Sequence, residues 1–315
     1  MIDFRYHLVS LIAVFMALAT GILVGSSLLN QSLIDSQRST IASFAAEKDS
    51  LRKDLANAQG EVGYRDNYLA SLHSTLLTGR LIGHRVVLVM APNAARKDVD
   101  ALAKTLNEAG AQLVGRVRIN DNFFDTANDP TGVNKAAQRD EAIKRLALPE
   151  VKGKTAEAQL AGAMLTKEPS RIQEPAADAL LTELDSDGLI SRDALTDRGD
   201  LAVLVSGTPP DKPTAVDDRT TAGLVKIAAA LDSAGGGTVV VGPAEGAADG
   251  LLAAVRRDGA VSAAVSTVDG VDSPFGQVAA AYALVEQIAG GAGQYGAEDS
   301  GDSVLPQFRA PAAKK

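Results

Sequence analysis

Few residues in this chain have both the type and the spacing that chemistry requires. The three histidines lie far apart. His7 precedes an apolar run, His73 sits late in a helical pattern, and His84 comes just before a strand-like run. None has a serine or aspartate placed to make a triad, and no G-x-S-x-G is present. There are no cysteines, which removes disulfides, thiolate metal sites and a cysteine nucleophile. Cu(I) asks for Cys or Met sulfur and Cu(II) for imidazole. The four methionines, Met1, Met16, Met90 and Met164, form no pair with ligand spacing. Asp269 and Asp272 remain as a possible ligand site. They follow the last strand-like run, at the carboxyl end where open α/β sheets bind ligands. Contact with a ligand or metal explains them, and so does capping of the helix that follows. A phosphate site needs glycines after the first strand, so that backbone N–H groups can approach the anion. That turn reads Ala91-Pro92-Asn93-Ala94. Walker A is absent, and Gly235-Gly236-Gly237 precedes a strand instead of a helix. These residues point to no cofactor, no resident metal and no enzymatic activity.

The elements that would position a site begin with a membrane segment. Run 8–29, LVSLIAVFMALATGILVGSSLL, carries no charge. About 20 apolar residues suffice to cross a bilayer as helix. A cleaved signal peptide is the alternative reading, with Ala17-Leu18-Ala19 before the cut. The run continues apolar past Ala19 and its amino-terminal flank is weakly basic, Arg5 being offset by Asp3. Both facts favour an anchor. A short cytoplasmic tail, 1–7, and the bulk of the chain on the periplasmic or cell-wall side follow from the basic flank. Gly21 and Gly25 form a G-x-x-x-G, spaced for close approach of a second transmembrane helix.

Residues 30–78 read as a coiled-coil stalk. With Ile41 at heptad position a, the a residues are Ile41, Lys48, Leu55, Val62, Leu69 and Leu76. The d residues are Phe44, Leu51, Ala58, Arg65 and Leu72. All are apolar except Lys48 and Arg65, and polar seam residues fix register at a cost in stability. The bland alternative is an amphipathic helix packed on its own domain. A helix over 34–77 reaches about 65 Å at 1.5 Å per residue. Gly60 and Gly63 weaken its middle by roughly 1 kcal/mol each relative to Ala. The seam implies a homodimer, a heteromeric coil, or both.

Residues 79–290 alternate strand and helix. Strand-like runs lie at 85–90, 112–119, 201–205, 238–241 and 261–268. Helical spacing covers 96–109, 220–234, 247–257 and 275–289. The pattern predicts an α/β fold with a doubly wound, mainly parallel sheet. The polar stretch 121–200 reads as a helical insertion with pieces at 135–146, 156–164 and 176–184. The tail 291–315 reads as extended and mobile. The chain is 46% hydrophobic with 4% aromatics and no Trp, so Ala, Val, Leu and Ile must build the core. A net charge of −8 and no Lys/Arg stripe argue against nucleic acid as a partner.

The opening MIDFRYHLVSLIAVFMALATGILVGSSLL, followed by a heptad helix and a strand–helix domain, resembles the actinobacterial MctB family, also called SteB. Asp272-Ser273-Pro274-Phe275-Gly276-Gln277 and Gly293-Gln294-Tyr295-Gly296 look like that family's carboxyl-terminal pattern. The resemblance covers the whole chain, and its amino-terminal block is the most specific part. It implies one of two functions. The family carries the label of a copper transport outer membrane protein, with channel formation proposed. It is also linked to a membrane partner, SteA, in cell separation and control of peptidoglycan hydrolysis. A channel needs several spans or a barrel, whereas a scaffold needs an anchor, a stalk and a binding domain. The sequence supplies the second set, so an envelope scaffold with a SteA-like partner is the expectation and copper export the alternative. An envelope enzyme with an unrecognised site is a third.

Overall fold

In the computed structural model the described residues are 4–126, 132–195, 197–297 and 302–306, without the side chains of 26–33 and 73–74. Met1, the His73 side chain, Pro311, Lys314 and Lys315 therefore lie outside them.

One helix, α1, spans Phe4–Leu77 without a break (74 residues). The elements that follow are β1 (Arg85–Met90), α2 (Arg96–Glu108), β2 (Gln112–Ile119), α3 (Lys135–Arg145), α4 (Ala156–Met164), α5 (Pro175–Ser186) and β3 (Ile190–Asp193). Then come β4 (Leu201–Val205), α6 (Ala215–Ala234), β5 (Thr238–Val241), α7 (Leu251–Arg257), α8 (Gly259–Ser262), β6 (Ser266–Val268), α9 (Pro274–Ile288) and β7 (Gln294–Tyr295). By contacts the chain divides into two compact units, Met1–Arg65 and Asp66–Lys315.

In the second unit, seven strands form one sheet in the order β3-β2-β1-β4-β5-β6-β7. All neighbours are parallel except β2 and β3. The order reverses between β1 and β4, the arrangement that opens a crevice at the strands' carboxyl ends. β1, β4 and β5 are built from β-branched and leucine residues, as strands buried on both faces require. Their side chains alternate between two cores. Val87, Val89, Leu204 and Val240 face one with α4 to α7. Val86, Leu88, Val203, Val205 and Val239 face the other with α2 and α9. α9 brings the buried small residues Gly276, Ala279, Ala280, Ala281 and Ala283 around Tyr282, which lets it lie close to the sheet.

The last turn of α1 belongs to this second core. Leu77 is fully buried there and Leu76 packs against it. The Tyr282 hydroxyl donates to the Leu76 carbonyl at 2.9 Å. For that final heptad position the amphipathic-helix reading holds.

Three departures from the sequence expectation have physical causes. Residues 259–262 are helical and only Ser266–Val268 is strand, because the Asp258 carboxylate accepts from the N–H groups of Ala260 and Val261 and caps a turn. α6 starts at Ala215 because Thr214 and Asp217 form a reciprocal capping box. The tail expected to be extended and mobile instead contributes β7, paired with β6, and Tyr295 bridges to Ser303. The insertion 121–200 supplies three helices as expected, together with the edge strand β3.

Candidate functional site

The first candidate is the heptad seam of α1. Its large apolar residues stand in water: Ile41 is 67% exposed, Phe44 64%, Leu51 62%, Leu55 59% and Val62 53%. Each would gain about 1.5–3 kcal/mol on full burial, so the stripe is an unpartnered surface. Phe44, Lys48, Leu51 and Leu55 border a shallow groove of about 380 Å³, flanked by Glu47 and Arg52. That groove has the a/d/e/g pattern into which a second helix sets its knobs. Ala58 and Lys48 are exposed on the same stripe, whereas Leu69 and Leu72 are half-buried. Helix surface pairs are loose, with Asp49–Arg52 at 3.8 Å and Glu61–Arg65 at 3.5 Å, and contribute little.

Above the seam, Phe4–Gly25 has a mean hydropathy of 2.5 and is one helix long and apolar enough to cross a membrane. A Cβ placed on Gly21, Gly25, Gly60 or Gly63 would meet nothing within 4 Å. The chain's own fold therefore has no steric need for glycine at these four positions.

The second candidate is the crevice at the β1/β4 reversal. Asn93 anchors it: its side-chain oxygen accepts from the Gly207 N–H at 3.1 Å and its amide donates to the Thr208 carbonyl at 3.2 Å. A Cβ on Gly207 would sit 1.9 Å from the Asn93 carbonyl, so only glycine lets the two loops meet. The resulting cleft encloses about 750 Å³ and is bordered by Pro209, Pro210, Asp217, Asp218, Asp249 and Arg257, among others. A hydrogen bond from Thr214 holds Asp217 below the usual carboxylate range.

The turn after β1 is organised around a cation. The Arg118 guanidinium donates to the carbonyls of Ala91 (3.1 Å), Pro92 (2.9 Å) and Ala94 (3.3 Å). A phosphate-binding turn points N–H groups at its ligand, whereas this one points carbonyls at an internal arginine. With acidic walls beside it, the cleft disfavours a phosphate.

Asp269 and Asp272 do not act together. Asp269 is buried and pairs with Arg256 at 3.2 Å, the two side chains being 0% and 7% exposed. Its other oxygen accepts from the Ala297 N–H at 2.8 Å. Arg256 also donates to Thr267 Oγ1 and to the Tyr295 carbonyl, both at 2.8 Å. This network fastens β7 to β6. Gly296, at φ 145°, lies so close that a Cβ would stand 2.0 Å from the Asp269 carboxylate. Asp269 is thus committed to the fold, and the helix cap foreseen for the two acids is supplied by Ser273, which accepts from Gly276. Asp272 is exposed. Its charge reaches Asp98, whose carboxyl is pushed up by burial, pulled down by Lys97 and pushed up further by Asp272.

His84 pairs with Asp200 at 2.7 Å, and Asp200 also accepts from the Arg85 N–H. The pair ties the entry of β1 to the loop before β4. His7 is exposed within the apolar helix. Among the described residues no group of three or more His, Cys, Asp or Glu is arranged to hold a metal ion.

Sequence reasoning picked out the heptad stripe that α1 leaves exposed and missed the Arg118 turn and the Arg256–Asp269 lock. Both unite residues far apart in the chain and left no local pattern.

Together these features define a class: an apolar helix of spanning length, continuous with an exposed heptad helix, in a chain that also carries a doubly wound α/β domain. Comparison with known proteins adds the family. A family model described as "Copper transport outer membrane protein, MctB" matches residues 1–306, and the chain belongs to this family. The protein named "Copper transporter MctB" from Mycobacterium tuberculosis (strain ATCC 25618 / H37Rv) is 28% identical over 319 residues, covering 94% of this chain and 96% of the relative. The protein of that name from Mycobacterium leprae (strain TN) is 28% identical over 323 residues, covering 98% of this chain and 100% of the relative.

Proposed function

We propose that this protein is a membrane-anchored scaffold of the cell envelope. It crosses the bilayer once and uses the seam of its long helix to bind a helical partner. Its α/β domain lies on the periplasmic or cell-wall side and acts as a binding body without a reaction of its own. The process served is cell separation, through control of peptidoglycan hydrolysis, and the membrane partner is SteA-like. The observation that carries this reading is α1 itself: a 74-residue helix whose first part is lipid-compatible and whose next part leaves its apolar seam in water. Energetically such a stripe calls for a cover.

Copper transport is the second reading, carried by the family's description and by its relatives' names. Copper would then be the cargo, and its contacts would have to come from donors other than a His/Cys cluster among the described residues.

One experiment separates the two. Cells lacking the protein are complemented with the full chain or with a version whose seam residues Phe44, Leu51 and Leu55 are changed to Glu. The scaffold reading expects the seam variant to reach the membrane yet leave cells unseparated, with copper tolerance unchanged. Normal separation together with copper sensitivity would transfer the function to copper.

A further inference from the structure

We propose that the helix seated on the 41–62 seam is a second copy of this chain, parallel and in register. This deepens the scaffold reading and rests on it.

Three observations select that occupant. The first is the anchor. The seam continues from the same helix as the apolar Phe4–Gly25 segment, so two copies inserted in one membrane run parallel by construction.

The second is charge. In a parallel coil, position g of one helix faces position e of the next heptad on the other. Here that sets Glu47 against the second copy's Arg52, twice by symmetry, and Asp54 against the neutral Gln59. An antiparallel alignment of the same seam sets g against g, Glu47 beside Asp54, two like charges. The Glu47–Arg52 pair flanks the groove described above, with Phe44, Lys48, Leu51 and Leu55 between them. The next g–e pair downstream, Glu61 with Asp66, is like-charged and follows Gly60. The contact is therefore assigned to 41–62, with the two helices parting beyond it.

The third is Lys48. At an a position it meets its own counterpart across the axis, an arrangement that costs stability and selects register and strand number. Its aliphatic stem covers the seam while the ammonium reaches outward toward the second copy's Glu47.

The same frame separates the seam from the transmembrane glycines. Counting heptads back from Ile41 places Gly21 at position b and Gly25 at position f, both turned away from the seam. The dimer therefore closes without the G-x-x-x-G face.

The test uses the absence of cysteine from the whole chain. Single variants Leu51→Cys (d) and Lys53→Cys (f) of the full chain are reconstituted in vesicles and oxidised. Same-residue disulfides form only where identical positions face each other within about 4.5 Å between Cβ atoms. The proposal expects covalent dimer at 51, little at 53, and undiminished dimer in Leu51→Cys chains carrying Gly21→Leu and Gly25→Leu. Glu47→Arg should weaken dimerisation roughly three- to tenfold, and adding Arg52→Glu should restore it. These helix positions are exposed, so folding of the domain is unaffected. Equal yields at 51 and 53, no dimer at 51, or a disulfide between Ile41→Cys and Ala58→Cys chains in a mixture, the pair an antiparallel seam would bring together, would overturn the proposal. A disulfide at 51 to a different protein would also overturn it while leaving the scaffold reading intact. A chain that fails to enter the membrane would sink the scaffold reading itself.

Discussion

Removing the Asp269 carboxylate isolates a buried cation. In Asp269→Ala, Arg256 keeps its bonds to Thr267 Oγ1 and the Tyr295 carbonyl, both 2.8 Å. It loses its counter-charge while only 7% of its side chain is exposed. The Ala297 N–H loses its acceptor as well. Breaking a buried pair on one side costs about 3–5 kcal/mol. For a domain of this size that is a fall in Tm of roughly 6–20 °C. The double variant Arg256→Met with Asp269→Asn removes both charges and keeps an acceptor for Ala297, so it should lose clearly less than Asp269→Ala. The assay is thermal unfolding of the purified full chain in detergent, followed by circular dichroism. Limited proteolysis should show cleavage after β7 first, because the lock ties that strand down. If Asp269→Ala unfolds within about 0.5 kcal/mol of the parent, Asp269 is not a structural group, and its place at the sheet's carboxyl end would need a ligand to explain it.

Three further outcomes follow from local chemistry. Arg118→Ala leaves the carbonyls of Ala91, Pro92 and Ala94 without their shared donor and should cost about 1.5–3 kcal/mol, read by chemical denaturation. Asp232 is pushed above its ordinary carboxylate value by burial, against the pull of Lys167 and a backbone N–H. An acid with a raised folded value is favoured in the fold when protonated, so its contribution falls as pH rises from the ordinary value through the raised one. Asp232→Asn should remove that acid-range slope and raise Tm at neutral pH, and an unchanged slope would contradict it. Gly60→Ala with Gly63→Ala should stiffen α1 by roughly 1 kcal/mol per site, since neither methyl meets an obstacle. Greater helicity by circular dichroism and slower proteolysis within 52–65 would show it.

How much could be read from the sequence depended on whether the signal was local. β1, β2, β4 and β5 match the expected runs end to end: β1, β4 and β5 because runs buried on both faces leave an unbroken apolar signature, and β2 because buried Val117 and Ile119 alternate with Arg116 and Arg118. The apolar helix Phe4–Gly25 and the exposed heptad stripe were legible for a similar reason, since each is a local property of one helix. β3 and β7 were not, being short strands (Ile190–Asp193 and Gln294–Tyr295) on the sheet edges, where pairing and not composition makes the strand. The start of α6 was recoverable, because threonine followed three residues later by aspartate marks a capping box. The roles of Asp269 and Arg118 were not, because each depends on partners brought together by the fold. Asp269 looked like a ligand site because its position along the chain, just past a strand, is where ligands bind, and the sequence does not show that Arg256 reaches it first.

The foundation of the functional reading is that the Phe4–Gly25 helix stays in the mature protein and holds it in the bilayer. Membranes from producing cells, washed with alkaline carbonate, test this when the retained chain is then weighed intact by mass spectrometry. The expected result is a protein found only in the washed pellet, with a mass that includes the amino-terminal segment, and released when residues 4–25 are deleted. A chain recovered from the supernatant, or one trimmed after Ala19, would show the segment to be a removable leader and leave the seam without its anchor.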